Sequence, residues 1–212
     1  MLVGVDDYRV FDPSGALDLA GSVEDVGLWR SVCERLGAVA PEVLTAPLRA
    51  DGARALGAAT RDRIGAAFQG LLDALADPAP GPRQGVFVFA GHGLQQGDGL
   101  ALCATDHAPG SPRLVLLQEL LDRVRDACLA ADRSLTLVLD CCFSGELGGA
   151  VAGARPRVIG EPVRRTASAL RRYLGQVALP PGVVVVGAGD RAVEAWGPAA
   201  GPAASASPRP PR

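Results

Sequence analysis

Leu135–Gly145 reads LTLVLDCCFSG, and its shape decides the fold. Leu135 to Leu139 is apolar apart from Thr136, the pattern of a strand buried on both faces. The run stops at Asp140, and Cys141, Cys142, Phe143, Ser144 and Gly145 follow. An acid and a thiol at the end of such a strand place reactive groups at the carboxyl edge of a sheet, where open α/β folds keep their sites. Gly85–Gly93, GVFVFAGHG, has the same shape and ends in His92 between two glycines. One strand end offers a thiol and the other an imidazole.

Outward from these strands, β-type and helical patterns alternate. Leu2–Val5 is a short strand closed by Asp6 and Asp7. Ser22 and Asp25 have the spacing of a capping box, opening a helix with Val26, Trp29, Cys33 and Leu36 on one face and Gly37 as its stop. Val39–Leu44 is a weaker strand candidate, interrupted by Pro41. A helix begins at Thr60, carries Ile64, Phe68, Leu71, Leu72 and Leu75 on one side, and ends before Pro78, Pro80 and Pro82. Leu100–Ala104 is a short extended piece, and Leu117, Leu121, Val124 and Cys128 mark a third helix. A mobile loop is expected from Gly145 to about Arg165, a helix over Ala167–Tyr173 and a strong strand at Val183–Val186. Strands alternating with amphipathic helices predict an α/β fold: a mostly parallel sheet with helices on both faces. The expected domain covers residues 1–196, and the Pro-, Ala- and Ser-rich tail 197–212 is expected to be disordered.

Composition narrows the function classes. The net charge of −2 gives no electrostatic case for nucleic acid or an anionic membrane as main partner. All 21 basic residues are arginine, which fits a GC-rich codon bias and carries no functional weight. Five cysteines at irregular spacing, with no signal-like N-terminus, predict a reducing compartment, and the cytoplasm is the default. No apolar run approaches the ~20 residues that cross a bilayer. Two histidines and no C-x-x-C pair argue against a structural metal, and no cofactor is expected.

A thiolate nucleophile needs a proton acceptor, exposure, and donors for the oxyanion. Neighbouring strands lie ~4.8 Å apart, so loops leaving their carboxyl ends can bring His92 and Cys142 together over the sheet edge. Gly91 and Gly93 leave the histidine uncrowded, and the amides of Gly93 and Cys142 are candidate oxyanion donors. Asp140 lies two residues before Cys142, so strand alternation points both roughly the same way, while Cys141 points into packing.

AGHG at 90–93 and DCCFSG at 140–145 resemble the paired motifs of the caspase-like cysteine peptidases, in particular the metacaspase and paracaspase branch. The 50 residues from His92 to Cys142 match the caspase spacing of about 50. VGVDDY and LAGSVEDV are similar to that family's opening, so the resemblance spans most of residues 1–196. It implies Cys142 as nucleophile, His92 as acid/base, and Asp25 and Asp140 as the acidic lining of the primary specificity pocket. It also implies a polypeptide substrate with arginine or lysine before the cut. Two carboxylates in a partly dry cleft repel each other until a cation fills it, and an arginine fork suits such a pair. Phe143 and Ala90 stand where this branch usually has histidine and serine. The loop after Gly93 has only Asp98 before Asp106, so no calcium requirement is expected. The family's fold continues to a sixth strand where this chain enters its tail, which predicts a domain shortened at its C-terminal end.

Other readings stay open. Asp25 could serve a helix cap, and Asp140 could cap whatever helix follows it. Arg164-Arg165 and Arg171-Arg172 are candidate self-cleavage sites or merely a solvated helix face. The alternative to an endopeptidase is a catalytically weak or inactive caspase-like module acting in interaction or regulation.

Overall fold

The computed structural model describes residues 1–38, 41–47, 58–78, 83–96, 98–141, 143–145 and 163–187, with the main chain alone for 143–145 and 163–168. Its centre is a five-stranded, all-parallel sheet in the order β2-β1-β3-β7-β9. These strands are β1 (Leu2–Val5), β2 (Val43–Ala46), β3 (Gln84–Ala90), β7 (Ser134–Asp140) and β9 (Val183–Gly187). The protein is thus an α/β fold on a parallel sheet, as the alternation of patterns predicts.

Strand alternation sorts the sheet's side chains into two layers. Val3, Val5, Phe87, Phe89, Leu135, Leu137 and Leu139 face one side. There they pack on α2 (Arg61–Ala76), α3 (Leu117–Ala127) and Ala169, Leu170 and Tyr173 of α4 (Val163–Gln176). Leu2, Val88, Ala90 and Val138 face the other side and meet Val26, Trp29 and Cys33 of α1 (Ser22–Arg35). Helices therefore cover both faces. The two-sided burial is why β3 and β7 read as unbroken apolar runs rather than as an alternation.

A second sheet, which the sequence patterns did not announce, stands at the carboxyl end of the first. Its order is β6-β5-β4-β8, from β4 (Gly93–Gln96), β5 (Gly99–Cys103), β6 (Leu114–Leu116) and β8 (Phe143–Gly145). β4, β5 and β6 are antiparallel neighbours, whereas β4 and β8 run parallel. β5 is the extended piece expected at Leu100–Ala104; the three- and four-residue strands β4, β6 and β8 are too short for a period to register.

Several expectations need correction. The strand placed at Val39–Leu44 is β2, at Val43–Ala46, so it follows Pro41 and is not interrupted by it. Ser22 is no N-cap: it is the first residue of α1, the cap position is Gly21, and no side chain of the Ser22–Asp25 pair closes a box. The cap comes instead from Asp6, whose carboxylate accepts the Ser22 and Val23 amides at 2.9 and 3.3 Å. Leu36 is 81% exposed, outside the buried face assigned to it. Gly37 does end that helix, at φ 76°. Cys128 is the left-handed C-cap of α3 and is exposed, not part of its buried face. α4 begins at Val163, so Arg164-Arg165 and Arg171-Arg172 lie in a helix, a poor geometry for self-cleavage. The expected loop from Gly145 falls for the most part, and the tail 197–212 entirely, outside the described residues. Among the described residues, no helix is long and apolar enough to cross a membrane.

Candidate active site

β3 and β7 pair in register from Gln84 and Ser134 to Ala90 and Asp140. The Gly91 amide then donates to the Asp140 carbonyl at 3.2 Å. One residue beyond His92 the same two chain segments pair again, now in the second sheet, with Gly93 opposite Phe143. Both segments leave one sheet and enter the other at the same step. His92 occupies that step on one segment. Cys142 lies outside the described residues, between Cys141 and Phe143.

The step bends at Gly91, whose φ is 155°. A Cβ there would sit 2.6 Å from the Tyr8 hydroxyl and 3.2 Å from the Phe89 ring, so both conformation and space call for glycine. Gly93 needs no such freedom: it is a buried strand residue paired with Leu102 on one side and Phe143 on the other. The other amide expected to serve as an oxyanion donor, that of Cys142, lies outside the described residues.

The loop between β1 and α1 grips His92 from two directions. The Tyr8 hydroxyl accepts the His92 main-chain N–H at 2.7 Å, and the two rings lie 4.6 Å apart, tilted by 52°. On the imidazole, Nε2 is 2.8 Å from the Leu17 carbonyl. A carbonyl can only accept, so in the neutral ring Nε2 carries the proton and Nδ1 the lone pair. Burial lowers the His92 pKa from its ordinary 6.5, while the Leu17 carbonyl and then the Asp18 charge act in the opposite direction. The ring is therefore held as a neutral base of one tautomer. Neither Tyr8 nor Leu17 stood out in the sequence. The aromatic just past the first strand was visible, but its contact 84 positions away was not.

Asp25 and Asp140 do share a cleft. Asp140 pairs with Ala90 in register and so faces α1, and Asp25 sits in the first turn of that helix. Together with Leu28, Trp29 and Val32 they line a cleft of about 200 Å³. Burial raises both carboxyl pKa values, and at Asp25 the charges of Asp140, Asp6 and Glu24 add to the rise. The positive end of α1 works against this at Asp25. The pair is held together without a counter-ion among the described residues. Asp25 makes no cap, which removes the bland reading of that residue. The apolar wall from α1 was not anticipated, because Trp29 was assigned wholly to the core.

The other described cysteines are poor nucleophiles by placement. Cys33, Cys103 and Cys141 are buried, and burial pushes the Cys103 thiol up to about 12. Cys128 is exposed but spends its thiol on the Arg125 carbonyl at 3.3 Å. The second histidine, His107, is 7% exposed, stacked on Phe11 at 4.9 Å, and its Nδ1 accepts the Arg113 amide. Among the described residues no three His, Cys, Asp or Glu side chains form a metal-binding group. No protein-family model matches the sequence, and no curated protein matches it.

Proposed function

We propose that the protein is a cysteine endopeptidase of the caspase-like kind, of the metacaspase and paracaspase branch, cutting after arginine or lysine. Cys142 is the nucleophile and His92 the acid/base. The observation that carries the reading is the double register around them: Ala90 opposite Asp140, then Gly93 opposite Phe143. In sequence, His92 and Cys142 each fall two residues after the first pair and one before the second, which favours a shared cleft at the sheet edge.

The chemistry follows from the groups available. His92 Nδ1, left bare by the Nε2 bond to Leu17, takes the thiol proton as the sulfur attacks the scissile carbonyl. The Gly93 and Cys142 amides receive the negative oxygen. The tetrahedral adduct collapses as the C–N bond breaks, and the imidazolium returns its proton to the leaving amine. Water, deprotonated by the same nitrogen, then opens the thioester and restores the thiol.

The acid pair supports the choice of residue before the cut. A guanidinium can bridge two carboxylates, and its methylene stem and planar face suit Leu28, Val32 and the Trp29 ring. Burial raises both carboxyl pKa values, and repulsion from Asp140 adds to the rise at Asp25; entry of a cation offsets both effects.

The deciding experiment is hydrolysis of fluorogenic arginyl, lysyl and aspartyl peptides by the purified protein and by Cys142→Ala. Cleavage of the basic peptides alone, lost in the variant, is expected. A cleanly folded protein inert toward all three would end the reading.

A second reading has one observation in its favour. Val184 and Val186 of the edge strand β9 are 53% and 46% exposed, an apolar surface of the sort an interaction module presents. Inactivity in the peptide assay would leave that reading in place.

A further inference from the structure

We propose that Asp18 is a positioning residue for His92: it fastens the loop that supplies the partners of the histidine's main-chain N–H and of its imidazole Nε2. Its catalytic meaning rests on the peptidase reading; the link to His92 itself does not.

The loop leaves β1 after Val5 and reaches α1 at Ser22. Asp18 folds it back on itself. One carboxylate oxygen accepts the Tyr8 amide at 3.0 Å, and the other accepts Arg9 Nε at 2.8 Å. The Asp18 side chain is 8% exposed and that of Arg9 26%, so this is a largely dry, charge-assisted clasp rather than a solvated surface pair. Gly15, at φ 72°, packs against it, and a Cβ there would lie 2.8 Å from the Asp18 carboxylate.

The residues clasped are the ones that touch His92. Tyr8, bound through its amide, offers its hydroxyl to the His92 main chain. Leu17, joined to Asp18 by a peptide bond, offers its carbonyl to Nε2. The Asp18 carboxylate bonds to Tyr8 and Arg9 and not to the imidazole. It sets the distance between two groups that approach the histidine from different sides. An error of about 1 Å in such placement can cost a hundredfold in rate.

Its charge has a second effect, since the Asp18 carboxylate favours the imidazolium. Among the described residues, the other groups bonded to or stacked on His92 and its neighbour Gly91 are the Tyr8 phenol from the same loop and two main-chain groups. The His92 carbonyl accepts the Cys103 amide of β5, and the Asp140 carbonyl of β7 accepts the amide of Gly91 beside it. A merely structural clasp would stabilise the loop and leave the state of the ring unchanged. The two roles are therefore separable.

The test is histidine ¹⁵N NMR of the full chain, with His107→Gln to assign the two rings, on wild type and on Asp18→Asn. Asparagine keeps an acceptor for the Tyr8 amide and removes the charge. In the variant, the His92 titration midpoint is expected to fall, and the neutral ring to change from one Nε2–H tautomer to a mixture. With arginyl peptide, kcat should fall roughly tenfold while KM stays within about twofold. A folded Asp18→Asn protein with the His92 midpoint and tautomer of wild type would overturn the proposal. Should that variant not fold, Arg9→Ala takes its place: it strips Asp18 of its counter-charge, and the His92 midpoint is expected to rise. An unchanged midpoint there also overturns the proposal. If the ring signals move as stated but the wild type cuts no arginyl peptide, the peptidase reading fails and the link from Asp18 to His92 stands.

Discussion

Leu17 and His92 are 75 positions apart in the chain and are joined by a 2.8 Å hydrogen bond from imidazole Nε2 to carbonyl oxygen. That bond fixes which nitrogen of the ring is basic, and it is made by a backbone group whose side chain is irrelevant to it. The chemistry proposed for His92 depends on the shape of a loop on the other side of the sequence.

Tyr8 is the other half of that grip. Tyr8→Phe keeps the buried ring and removes the acceptor for the His92 N–H, leaving a main-chain donor without a partner. The cost is expected to be about 1–3 kcal/mol, seen as a lower midpoint in urea unfolding with an unchanged slope. Activity on arginyl peptide should fall in kcat more than in KM. A variant as stable as wild type would show that the hydroxyl is not needed there.

Asp6 joins the first strand to the first helix. Its carboxylate caps α1 through the Ser22 and Val23 amides, and Asp25 stands in the turn so fixed. Asp6→Ala is expected to cost about 1 kcal/mol, or about 2–4 °C in Tm for a chain of this size. It should also raise KM for arginyl peptide, since Asp25 is displaced, with kcat changing less. Asp6→Asn, which retains an acceptor, should recover most of the stability. Thermal melts and steady-state kinetics of the pair decide it.

The acid pair should trade stability for binding. Both folded-state carboxyl pKa values are raised above 3.8, so the native state holds these protons to higher pH than the unfolded chain does. Their contribution to stability is thus fully present below about pH 4 and is lost as pH rises through the raised values. Asp140→Asn is therefore expected to melt above wild type at neutral pH, with the gap closing near pH 4. The same variant should lose at least about tenfold in kcat/KM on arginyl peptide. A melting difference independent of pH would contradict the raised Asp140 pKa that burial imposes.

The histidines act at the acid limb with the opposite sign. Burial lowers the pKa of both His92 and His107 from 6.5. The unfolded chain therefore takes up these protons first as pH falls. Stability is fully present above pH 6.5 and is lost as pH drops through the lowered values. In the double variant His92→Gln, His107→Gln, Tm should fall less steeply between neutral pH and about pH 5 than in wild type.

How much of this was legible beforehand depends on range. β3 and β7 could be read because burial on both faces leaves a run of apolar residues that a short window detects. α2 could be read from Ile64, Phe68, Leu72 and Leu75, all of which are buried. The capping box at Ser22 had the right spacing and failed, because Asp6, sixteen positions earlier, takes the Ser22 amide that the Asp25 side chain would have accepted. Local pattern offered one cap and tertiary structure supplied another. Of the small second sheet only β5 was legible, as the extended piece at Leu100–Ala104; β4, β6 and β8 are defined by their partners rather than by any period of their own.

The sequence by itself determined the parallel sheet, the two strand ends that carry Asp140 and His92, and the glycine that lets the chain turn between them. These are matters of side-chain period and backbone freedom, which neighbouring residues express. Only the tertiary structure decided that Asp25 faces Asp140, that Leu17 selects the tautomer of His92, and that Asp18 clasps the loop. Those depend on hydrogen bonds and charges acting over a few ångströms between groups far apart in the chain, and no local pattern encodes which distant groups will meet.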